Sequence, residues 1–218
     1  MSRPVIVIVG AGPGVSGSVA RRFAADGYDV GLIGVDEAPI GELTLDLESA
    51  GAGVGHVVAD FTDEAAATAA VTELGELLGS IDVLHFNPSV FREKNPLTLT
   101  VAELLEDVAL GVGALLTAVQ AARPFMSSGG RITATGSMAA DQPWHEAASL
   151  GVQKAGLRNL VRSLDATLAG DEIRAVSVTV RGTLAREGAF TPDRVAEAIY
   201  AAAHQDLGDW HAELPYDG

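Results

Sequence analysis

Residues 4–17 read PVIVIVGAGPGVSG, an apolar β-branched run followed at once by four glycines in eight residues. The run predicts a strand, and the glycines allow a sharp turn into VSGSVARRFAADG, whose pattern predicts a helix stopping at a glycine. Further strands are predicted at 28–35 (YDVGLIGV), 55–61 (GHVVADF), 81–86 (IDVLHF), 130–136 (GRITATG) and 174–180 (RAVSVTV), with a last short stretch near WHAELPY. Helical patterns separate them, the longest from about Thr98 to Met126 and from 146 to 168, and another from about Pro192 to His204. Such alternation implies right-handed crossovers and a parallel sheet covered on both faces. The expectation is one α/β domain over 1–218, a doubly wound parallel sheet of about seven strands with helices on both faces.

With 218 residues, 48% hydrophobic and 20% charged, the chain is long and apolar enough to bury a core. It has no cysteine, which removes disulfides, thiolate metal sites and cysteine nucleophiles. A net charge of −15 argues against nucleic acid and anionic membranes as partners. The N-terminal apolar run is too short for a signal-peptide core or a membrane span, so the protein is read as soluble and cytoplasmic. His56, His204 and His211 are too dispersed to suggest a metal site, and none is expected.

A glycine-rich first βα turn lets an anionic group approach a helix N-terminus, where free N–H groups and the helix dipole favour negative charge. The turn Gly10–Gly17 therefore predicts a pyrophosphate site. A second anomaly lies at Lys154, one of only two lysines. It falls within the apolar stripe Ala147, Leu150, Leu157, Val161, Leu164 and Leu168, so its ammonium needs buried oxygen partners.

The spacing resembles the short-chain dehydrogenase/reductase superfamily over nearly the whole chain. Gly10 and Gly14 match the family's Gly-x-x-x-Gly-x-Gly turn, with Ser16 in place of the third glycine. ADFTD (59–63) is similar to the segment that meets the adenine, through Asp60 and Phe61. Phe86-Asn87-Pro88-Ser89 stands for the family's Asn-Asn-Ala-Gly, and ITATGS (132–137) ends at the position of its catalytic serine, Ser137. Lys154 ends the family's Tyr-x-x-x-Lys, with Leu150 where the tyrosine belongs, and Gly111 aligns with the catalytic asparagine.

The resemblance implies an NAD(P)-binding Rossmann-type domain acting on a small carbonyl or alcohol, with Ser137 and Lys154 as catalytic residues and an altered proton donor. It implies cofactor contacts from Gly10, Gly14, Val15, Ser16, Asp36, Asp60, Phe61, Asn87 and Lys154. NAD is favoured over NADP, because Pro13 and Val35 stand where basic residues would hold a 2′-phosphate. His145 is a candidate replacement proton donor, with Asp141 and Ser149 weaker ones; His85, within a strand, reads as a core histidine. The family's substrate lid is shortened here to about 183–191. A cyclase, isomerase or lyase on the same fold, or a non-catalytic binding protein, also fits the altered residues. Small residues Gly111, Gly113, Ala114, Ala118 and Ala121 suggest helix faces for a homodimer or homotetramer.

Overall fold

Val5–Val9 forms β1 at the middle of a sheet, and all five of its residues are buried, as helices on both faces require. The structure, a computed structural model, describes residues 3–218. The other strands are β2 (Asp29–Gly34), β3 (Val54–Val58), β4 (Val83–Phe86), β5 (Arg131–Ser137), β6 (Arg174–Val180) and β7 (Glu213–Tyr216). They lie in the order β3-β2-β1-β4-β5-β6-β7, and every neighbouring pair is parallel. Winding reverses between β1 and β4, which opens a crevice at their C-terminal ends.

Among the described residues seven α-helices cover the sheet: α1 (Val15–Ala25), α2 (Glu37–Ser49), α3 (Glu64–Leu78), α4 (Val101–Val108), α5 (Ala114–Ala122), α6 (Ala148–Leu168) and α7 (Pro192–Ala203). Alternate strand residues feed two cores. Val7, Leu84 and Ile132 pack under α3, α5 and α6, while Ile6, Ile8 and Val178 pack under α1, α2 and α7. No helix among the described residues is long and apolar enough to cross a membrane.

Three expected elements differ in detail. β3 stops at Val58, before the expected 61. The Asp60 carboxylate accepts from Thr62 N–H and Oγ1, both at 2.8 Å, and this turn ends the strand. The pattern at 98–126 is divided: Thr100 caps α4 in a capping box with Glu103, and a π-helical turn at Ala109–Gly113 separates α4 from α5. Of the small residues expected on an outer face, only Gly113 is exposed. Gly111, Ala114, Ala118 and Ala121 are buried within the subunit, where α5 packs on α3 and the π turn on α6.

Phe23 of α1 is fully buried, with Tyr28 and Tyr200 edge-on at 5.0 Å. Phe23→Ala is expected to cost about 3–5 kcal/mol, because the surrounding helices cannot fill the space. Urea unfolding measures it; a loss under about 1 kcal/mol would mean that α1 and α7 collapse into the gap.

Candidate active site

The crevice is built from its glycines. Gly10 turns the chain at φ +80°, and the N–H groups of Gly10 and Ala11 both donate to Ile33 O, at 2.9 and 2.8 Å. A Cβ on Gly10 would lie 2.9 Å from the Pro88 ring, and Asn87 N–H donates to Val9 O at 3.0 Å. Turn and β4 loop are thus pressed together. Ser16 is buried, with its Oγ 3.5 Å from Gly12 O, so it points back into the turn rather than outward. The close approach that tolerates no side chain belongs to Gly17, whose Cβ would stand 2.6 Å from Gly12 O. Gly12 and Gly14 face open space, with nothing within 4 Å of an added Cβ. No side chain caps α1 and no acid occupies its first turn, whereas Asp63, Thr100 and Thr191 cap α3, α4 and α7. An anionic group fits here: the space beside Gly12 and Gly14 is open, and no side chain caps the first N–H groups of α1.

Beside this turn lies a cavity of about 420 Å3 that gathers Gly14, Val15, Asn87, Ser137, Leu150 and Lys154. Val180 and Leu184 add apolar wall. Ser137 ends β5, and its Oγ accepts Ala139 N–H at 3.2 Å, leaving the hydroxyl proton to donate. Lys154, only 6% exposed, donates to Thr135 O at 2.8 Å. Burial lowers its pKa from 10.5 to about 8. Thr135 Oγ1, also at the cavity, is buried without a hydrogen-bond partner. His85 bonds Thr133 Oγ1 at 2.9 Å through Nδ1, while its Nε2 has no partner. Burial first, and the Lys154 charge second, push its pKa down to about 3, so it stays neutral.

Other expected residues lie elsewhere. His145 is exposed and lines a separate cavity of about 480 Å3 with Lys94, Asn95 and Trp144, sharing only Phe91 with the Ser137–Lys154 cavity. Trp144 packs on Phe91, ring centroids 5.3 Å apart, and fixes that arrangement. Asp141 pairs with Arg158 at 2.8 Å, and Ser149 is wholly buried. Asp36 and Asp60 are exposed at the ends of β2 and β3, whereas the Phe61 side chain is turned into the core. An acid could not stand at residue 34: a Cβ on Gly34 would lie 2.7 Å from Ala11 O. None of the three tyrosines lines the cavity. Tyr28 bonds His204, Tyr200 bonds Asp26, and Tyr216 bonds Ala189 O. No cluster of potential metal ligands occurs among the described residues.

Two features escaped sequence reasoning. Gln153, beside Lys154, is fully buried and bonds both backbone groups of Val90. Arg92 grips the buried Asp107 through Nε and Nη2, and also reaches Glu103 and Glu106. An arginine eleven to fifteen residues before three acids was the available signal for the second.

A doubly wound sheet with a glycine turn and a serine–lysine cavity at its reversal point defines a dinucleotide-binding class of protein. Residues 4–187 match the family model for short chain dehydrogenases, and the chain belongs to that family. The cis-4-hydroxycyclohexanecarboxylate dehydrogenase of Sinomonas cyclohexanicum is 30% identical over 217 residues, covering 89% of this chain and 87% of that protein. The meso-2,3-butanediol dehydrogenase of Serratia marcescens is 28% identical over 175 residues, 80% of this chain and 69% of that protein. A short chain dehydrogenase of Burkholderia cenocepacia, solved in complex with NADP, is similar with a TM-score of 0.90 and 26% identity, covering 100% of this chain and 96% of that one.

Because the folded-state pKa of Lys154 lies below its unfolded value, the folded protein binds fewer protons between about pH 8 and 10.5. The cost of the buried charge, fully present below about 8, is relieved as the pH rises to 10.5. Wild type should gain roughly 3 kcal/mol relative to Lys154→Met across that window. Urea unfolding at several pH values reads the difference; a constant difference would mean that Lys154 does not titrate there.

Proposed function

We propose that this chain is an NAD(P)-dependent oxidoreductase acting on a small carbonyl or alcohol substrate, without a tyrosine acid. The observation that carries this reading is the single cavity shared by the open face of the glycine turn, Ser137 and Lys154. Gly10, Gly14, Val15, Ser16 and Asn87 frame the pyrophosphate and nicotinamide side, and Asp36, Asp60 and the backbone at Phe61 the adenosine side. When bound, a nicotinamide dinucleotide supplies the hydride chemistry. Ser137 donates its hydroxyl proton in a hydrogen bond to the substrate oxygen. Lys154, with its pKa of about 8, holds the proton that this oxygen takes up on reduction and returns to it on oxidation. His145 lines the neighbouring cavity beyond Phe91, whereas Lys154 lines this one, which favours Lys154 as the altered donor.

NAD is favoured over NADP. Val35 and Asp36 follow β2, Pro13 occupies the turn, and the nearby Arg21 is paired with Asp46 at 3.4 Å. Residues 1–218 act as one dinucleotide-binding domain with a short lid at 183–191. That lid is pinned rather than hinged: Tyr216 donates to Ala189 O at 2.6 Å, and the Phe190 ring packs on Tyr216 at 5.6 Å. The enzyme is cytoplasmic and a homodimer or homotetramer; exposed Val101 and Leu105 on α4 and Val152 on α6 support association. One observation favours a second reading, a cyclase, isomerase or lyase: Leu150, Val180 and Leu184 give the cavity an apolar wall where hydride transfer needs an acid.

Calorimetric titration with NADH and with NADPH tests the first reading. Micromolar binding, tighter for NADH, is expected; no binding of either at millimolar concentration would overturn it. Leu150→Tyr should raise carbonyl reduction by about 10²–10⁴, the share of a positioned general acid, measured as NADH oxidation over a panel of small ketones.

A further inference from the structure

Val90 lies between Ser89 and Phe91, both of which line the Ser137–Lys154 cavity. Its backbone joins no strand. The side chain of Gln153 takes that place: Oε1 accepts Val90 N–H at 3.0 Å, and Nε2 donates to Val90 O at 3.1 Å. Gln153 is fully buried, so its carboxamide is stable there only because donor and acceptor are both matched. The side chain fits because residue 111 has none. A Cβ on Gly111 would stand 2.5 Å from Gln153 Oε1 and 2.9 Å from its Cγ. Gly111 is also the middle residue of the π turn at 109–113, a kind of irregularity that often marks functional sites.

We propose that Gln153 is a positioning residue that, through its paired bonds to Val90, sets the 87–91 wall of the cavity against Lys154, and that Gly111 is the gap that admits its side chain. Gly111 and Gln153 then form a unit. Any side chain at 111 evicts the carboxamide and releases the wall, although residue 111 is not itself among the residues that line the cavity. The effect on cofactor affinity rests on the function proposed above, while the effect on the wall does not.

Hydrogen–deuterium exchange of the free protein tests the wall. Gln153→Met keeps the length of the side chain and loses both bonds, so amides in 89–92 should exchange about tenfold faster or more, with β5 and the rest of α6 unchanged. Gly111→Ala should loosen the same segment, and adding it to Gln153→Ala should have little further effect, since the carboxamide is already gone. Gly111→Ala, which leaves residue 153 itself unchanged, decides the matter if the methionine variant does not fold. Unchanged exchange at 89–92 would overturn the proposal, as would a rise spread evenly over the whole chain in both variants. NADH titration of the same proteins should show about tenfold weaker binding in Gln153→Met. If wild type binds no dinucleotide, the oxidoreductase reading falls, and exchange alone judges Gln153.

Discussion

The crevice depends on how closely β1 and β4 can approach where their chains part. Two consecutive N–H groups, of Gly10 and Ala11, converge on Ile33 O, and this ties the turn to β2. The Pro88 ring then fills the space beside Gly10 that any side chain would need. With the turn held from both sides, α1 begins at a fixed point, and its uncapped end is presented over the cavity rather than into solvent at large. Gly17 and Gly34 serve the same packing, since each lies too near a turn carbonyl oxygen to carry a Cβ. The glycines of this region are thus needed for closeness of backbone as much as for freedom of turning.

The opposite wall is held by a different physics. The segment from Asn87 to Pro96 has no strand or helix of its own, yet charge and amide bonds anchor it. Gln153 holds Val90, and Arg92 is bound to Asp107 at 2.7 Å inside the fold. Arg92 keeps the Asp107 carboxyl below its ordinary pKa, and the Lys94 ammonium, with the Thr100 N–H and hydroxyl, lowers that of Glu103 to about 2. Both carboxylates therefore favour the folded state above their unfolded values, and that support is lost only as the pH falls towards the folded ones. The wall is built for neutral pH.

Much of this was legible in the sequence, for reasons of period and spacing. The β-branched runs and helical stripes marked every strand to within a few residues, because a parallel sheet buried on both faces leaves few other patterns possible. Lys154 stood out because a lysine in an apolar stripe requires an explanation, and Ser137 because ITATGS resembles the strand that ends at the family's serine. Contacts between distant residues were not legible. Nothing in the order of the chain joins Gly111 to Gln153, or assigns the steric demand to Gly17 rather than to position 16. The small residues at 111–121 read as faces for a homo-oligomer, and the packing of α5 on α3 turns most of them inward instead. His145 was placed by loop position alone, and the Phe91–Trp144 contact then directed it to a different cavity.

β7 closes one side of the sheet, and its order of polar groups carries a consequence for the protein in crowded solution. Ser177 N–H and Arg181 N–H donate to Ala212 O and Tyr216 O, so the even-numbered residues of that stretch face inward and the odd-numbered ones outward. Pro215 is therefore on the outward register, where it offers no N–H to an incoming chain. A strand that tried to extend the sheet there would meet a missing donor on a segment only four residues long. The missing donor makes this border a poorer template for edge-to-edge pairing than an unbroken strand would be.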